Sequence, residues 1–114
     1  MVYMEQLKKW GANVEEGLAR MVDDEEFYDQ CIQSFIEDSE FIHLKEFLDA
    51  KDYDNAFQSV HSLKGVSGNL SLTPLYQSFS QLTEALRHEK YEGVPAYYEK
   101  MNQEYQSLVQ IVKP

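Results

Sequence analysis

Cysteine, basic residues and long apolar runs are all scarce in this 114-residue chain, and each scarcity closes off a class of function. With Cys31 as the only cysteine, no intrachain disulfide is possible, which fits a reducing compartment. No apolar run approaches the roughly 18 residues that a membrane-spanning helix needs, and the first residues hold no signal-peptide-like apolar segment. A soluble, cytoplasmic protein with no membrane partner is therefore expected. Ten Lys and Arg stand against twenty Asp and Glu, a net charge of −10, which is the wrong sign for gripping nucleic-acid phosphates. Strict apolar alternation and paired hairpin-turn residues are missing, so no segment reads as a strand. No repeat, low-complexity tract or linker divides the chain.

What the sequence does contain is helical periodicity, with 43% hydrophobic and 13% aromatic residues to build a core. A short amphipathic piece from Val2 to Trp10 stops at Gly11. Asn13 followed by Glu16 is a capping-box pattern that starts a helix carrying Val14, Leu18, Met21 and Val22, weakened by Gly17. Asp23 to Glu26 supplies a second cap, and the break between these two helices is expected to be slight. Phe27, Tyr28, Cys31, Ile32, Phe35 and Ile36 then form the clearest helical stripe, with Cys31 read as a small core residue. Ser39 breaks or kinks this helix before Phe41 to Ala50 continues it, and His43 is read as a surface residue. Asp52 caps the next helix. Ser71 with Pro74 and later Pro95 mark two further helix starts, carrying Leu75 to Leu86 and Tyr97 to Val112. The predicted fold is all-α: one domain over residues 1–114, an up-and-down antiparallel bundle with a four-helix core and an additional short N-terminal helix.

Charge is unevenly spread. Residues 1–55 hold 15 acidic and 5 basic side chains, whereas residues 56–114 hold 5 of each. Between Asn55 and Thr83 there is no carboxylate, and Lys64 is the only cation. The acidic half reads first as a solvated surface and second as a steering field for a basic partner.

That carboxylate-free window contains Val60-His61-Ser62-Leu63-Lys64-Gly65-Val66-Ser67-Gly68-Asn69-Leu70. At about 100° per residue, Ala56, Val60, Leu63, Ser67 and Leu70 form a core-facing stripe, and His61 lies roughly 140° from its middle. Phe57, Lys64, Gly65 and Gly68 cluster around His61 on the outward side. Each helix-interior glycine costs about 1 kcal/mol relative to alanine. Gly65 and Gly68 therefore either mark the helix end, Gly68 as a C′ residue, or leave room beside His61. An exposed imidazole is a nucleophile that can take a phosphoryl group. Lys64, one turn on, would offset part of the roughly −2 charge that the group brings. Phe57 is either an apolar docking anchor or packed against a neighbouring helix.

His61-x-Leu63-Lys64-Gly65 followed by Gly68-Asn69-Leu70 resembles the signature of the histidine-containing phosphotransfer (HPt) domain. The resemblance implies a helical bundle that carries phosphoryl groups between receiver domains of two-component response regulators, with a hybrid sensor kinase as a further partner. It implies that His61 is the phosphoacceptor, Lys64 its charge partner, and Gly65 and Gly68 the clearance for docking. Many members carry a glycine where Ser71 stands here. Many also place an imidazole-orienting glutamine on the following helix, where the best-matching positions offer Gln81 or Thr83. No cofactor or metal of its own is implied, because the partner brings the aspartyl phosphate and Mg²⁺. The protein would thus be a monomeric carrier and not a self-sufficient enzyme.

Other chemistries find little support. Glu40-x-x-His43 has the spacing of a di-metal bundle but occurs once, and Gly65 to Gly68 lacks the order of a phosphate loop. The competing functional reading is an unphosphorylated helical interaction module docking on receiver or kinase domains. An acidic adapter using residues 1–55 has only charge behind it.

Overall fold

Three of the helices start where a short polar side chain replaces a missing backbone acceptor. The side-chain oxygens of Asn13, Asp24 and Asp52 accept from the backbone N–H groups of Glu16, Phe27 and Asn55. The computed structural model describes residues 1–114. Its helices are α1 Met4–Trp10, α2 Val14–Arg20, α3 Glu25–Ile36, α4 Glu40–Asp49, α5 Tyr53–Asn69, α6 Thr73–Arg87 and α7 Val94–Val112, with a 3-10 turn at Tyr91–Gly93 before α7. No strand is present. Pro74 and Pro95 sit in the first turns of α6 and α7, where a missing N–H costs nothing.

The helix ends hold the first surprise. Gly11 terminates α1 with φ 122°, as expected, but the next left-handed C′ positions are taken by Val22, Lys51, Ser71 and Glu89, at φ 55–56°. At each, the following N–H reaches back five residues, as from Leu72 to the Ser67 carbonyl at 2.9 Å and from Asp52 to Phe47 at 2.8 Å, the Schellman pattern. Ser71 is therefore the stop of α5 and not the cap of α6, whose N-cap Leu72 makes no side-chain bond. The break between α2 and α3, expected to be slight, is sharp, because both Val22 and Asp23 are left-handed. Val22 is turned out of the apolar stripe and is 89% exposed.

Helices α4, α5, α6 and α7 run up and down, each packed on the next, and α3 closes the bundle against α7. The α3–α4 break sits under Tyr105 of α7: its ring stacks on Phe41 at 4.0 Å and its hydroxyl donates to the Ile36 carbonyl at 2.6 Å. Two short helices precede the bundle. Trp10 of α1 donates to Glu104 of α7 at 2.8 Å, and Tyr3 bonds Asp29. One cluster of buried apolar side chains runs through all seven helices. No helix is long and apolar enough to cross a membrane.

Tyr28 ties α3 to the end of α5. Its ring is fully buried and its hydroxyl donates to the Leu70 carbonyl at 2.6 Å. Burial pushes its pKa up to about 12, with the Arg20 charge pulling the other way. A phenol whose folded pKa lies above its unfolded value of 10.0 contributes stability that is whole below pH 10 and lost as pH rises towards 12. Chemical unfolding followed through that window should show a steep loss for the wild type. Tyr28→Phe should flatten the loss and cost about 1–2 kcal/mol at neutral pH, since the Leu70 carbonyl is left without its donor. An unchanged alkaline slope in the variant would refute this assignment.

Candidate functional site

Helix α5 buries Ala56, Val60, Leu63 and Ser67 and leaves His61, Ser62 and Gly65 exposed. The imidazole therefore stands on the outer face of the bundle, as its angular position predicts. Neither ring nitrogen hydrogen-bonds another residue of the chain. Its one close ring neighbour is Phe57, one turn back, with centroids 5.9 Å apart and planes within 10° of parallel. Phe57 is half-buried, packed against the core. The Arg87 guanidinium of α6 lies 5.6 Å from the Phe57 centroid and is itself bonded to Glu84 at 2.7 Å.

Lys64 takes part in none of the chain's ion pairs. Its ammonium lies 5.7 Å from the centre of the Tyr76 ring, an attraction that holds a cation without neutralising it. The two glycines divide. A Cβ on Gly65 would meet nothing within 4 Å, whereas one on Gly68 would lie 3.1 Å from the Tyr76 ring. At Gly68 the missing side chain makes room for Tyr76, which in turn carries Lys64. The helix-end reading of Gly68 fails, since α5 continues to Asn69 and stops through Ser71.

The two proposed orienting residues do not reach the imidazole. Thr83 is fully buried, and its hydroxyl donates to the Phe79 carbonyl of its own helix at 2.7 Å. A buried hydroxyl already bonded four residues back has no donor left for a surface ring. Gln81 is exposed and lines a groove towards Gly93 and Tyr97.

Other residues near the site escaped the sequence reading. Arg20 of α2 donates to the Gly68 carbonyl at 2.9 Å, to the Ser71 hydroxyl at 2.6 Å and to Glu16 at 2.6 Å. The Ser71 hydroxyl in turn donates to Glu16 at 3.0 Å. This clamp binds Ser71, which is left-handed where the resemblance expects glycine. It walls a cleft of about 440 Å³ that runs past Gly65 and Gly68 to Tyr76. No local signal announces it, because its partners are 48 to 55 residues apart.

On the other flank of α5 a groove of about 450 Å³ is lined by Met21, Phe27, Cys31, Phe35, Val66 and Leu70, among others. Phe27, assigned by periodicity to the core, is 49% exposed there, and Val66 is 38% exposed. Cys31 is only half-buried. His43 is exposed and faces Glu40 at 3.5 Å, and no three His, Cys, Asp or Glu side chains converge as a metal site would require.

An exposed imidazole with both nitrogens unengaged, an unneutralised ammonium one turn on and an uncovered glycine beside them make a surface on which a second protein can reach a nucleophile. Comparison with known proteins agrees with that arrangement. The family model of the Hpt domain matches residues 26–111, from the first turn of α3 almost to the end of α7. No curated protein and no solved structure matches the chain. The match takes in every helix of the bundle and the whole His61 helix, and by it the chain belongs to the Hpt domain family.

Proposed function

We propose that the chain is a phosphorelay carrier whose His61 accepts a phosphoryl group from one receiver domain and donates it to another. The observation that carries this reading is the His61 imidazole, exposed and without a hydrogen-bond partner on the same face as open Gly65 and unpaired Lys64. A neutral imidazole attacks through the lone pair of one ring nitrogen. The N–P bond forms as the P–O bond to the partner's aspartate breaks, the electron pair leaves on the carboxylate, and the proton on the other ring nitrogen passes to solvent. The receiver brings the aspartyl phosphate and the Mg²⁺ that spreads the transferring charge. Lys64 offsets the charge that arrives, and Gly65 lets the partner's active site close over the ring. On this reading the chain works as a cytoplasmic monomer alongside its receivers or a hybrid kinase, and has no catalysis of its own.

Transfer from a panel of labelled receiver domains tests the proposal. Rapid labelling of the wild type, lost on acid treatment as a phosphoramidate is, and absent from a folded His61→Gln variant, is the expected result. Labelling that persists in His61→Gln would overturn it. Measurable receiver binding with no transfer would favour an unphosphorylated docking module.

A further inference from the structure

We infer that Phe57 is the residue that positions the His61 imidazole for transfer, an assignment that rests on His61 being the phosphoacceptor. An exposed histidine on a helix turns freely about two side-chain bonds, and transfer needs one ring orientation in line with the phosphorus. Here no hydrogen bond supplies that orientation: of the two positions offered for it, Thr83 spends its hydroxyl on Phe79 and Gln81 lines a groove towards Gly93 and Tyr97. Phe57 supplies a flat surface instead. Residues four apart on a helix are surface neighbours, and the two rings lie 5.9 Å apart at 10°, an offset parallel arrangement that aromatic pairs prefer.

The surface is itself held. Phe57 is half-buried against the core, and Arg87, anchored by Glu84, lies over its ring. A stacked partner also differs chemically from a hydrogen-bonding one. It fixes the plane of the imidazole while leaving both nitrogens free, one to attack phosphorus and the other to release its proton.

The test uses the intact protein and phosphoramidate, a small donor that needs no docking surface; its P–N bond breaks as the His61 N–P bond forms, and ammonia leaves after taking a proton. Phe57→Leu is expected to slow this labelling by about three- to tenfold, and Phe57→Tyr, which keeps the ring, to restore it. NMR of the His61 ring protons should show ring-current displacement in the wild type and Phe57→Tyr and its loss in Phe57→Leu. Phe57→Leu labelling at the wild-type rate would overturn the assignment, as would slowing confined to transfer from a receiver, which would make Phe57 a docking contact. Failure of the underlying reading looks different: a wild type that takes no phosphoryl group on His61 from either donor overturns both.

Discussion

Gly65→Leu is expected to stabilise the protein while cutting transfer from a receiver domain by about a hundredfold. The two effects have separate causes. Gly65 lies inside α5 on an exposed face, and a Cβ added there meets nothing within 4 Å. The substitution therefore removes a helix-propensity penalty of about 0.8 kcal/mol without a clash, and the thermal midpoint should rise by a few degrees. The same open space lies one turn from His61, where a partner's active site must approach. Phosphoramidate labelling should be nearly unchanged, since the small donor does not need that clearance. Thermal unfolding beside the two transfer rates would check all three statements. Receiver transfer at the wild-type rate would show that the glycine serves no docking purpose.

A substitution of the same kind at Gly17 should have the opposite sign. The helix-propensity argument alone predicts that Gly17→Ala stabilises α2. In the structure, a Cβ at this position would lie 2.5 Å from the Tyr28 hydroxyl and 2.7 Å from the ring carbon bearing it. Tyr28 cannot withdraw cheaply, because it is fully buried and its hydroxyl holds the Leu70 carbonyl. Overpacking of this kind costs about 1–3 kcal/mol, and displacement of the hydroxyl would add the cost of an unpaired buried carbonyl, about 1 kcal/mol or more. Urea unfolding should therefore place Gly17→Ala about 1–4 kcal/mol below the wild type. A variant as stable as the wild type would mean that α2 shifts freely away from Tyr28.

Arg20 and Glu16 give α2 a second connection to the site helix, through Gly68 and Ser71. Both residues precede the stretch that matches the Hpt family model. The foot of α5 in this chain is thus braced by a segment outside the stretch that the family model matches.

Sequence alone determined the helices, their order and the outward position of His61. Each follows from interactions that reach no further than one turn: Asn13, Asp24 and Asp52 capping an N–H three residues on, Pro74 and Pro95 opening helices, and the spacing of Ala56, Val60, Leu63 and Ser67 burying one side of α5. What the neighbours of His61 do was decided only by tertiary packing. Gly65 and Gly68 look alike in the sequence, yet one faces open space and the other Tyr76. Thr83, one of the two positions expected to offer an orienting group, is buried, while Phe27 shares the periodicity of the core and is half exposed. Ser71 stops a helix in the same left-handed conformation as Val22, Lys51 and Glu89, yet it alone of these is bonded by Arg20 and Glu16 from more than fifty residues away. Periodicity sorts residues into faces of a helix, but a side chain's role depends on which other helix covers that face, and that is settled where the helices meet.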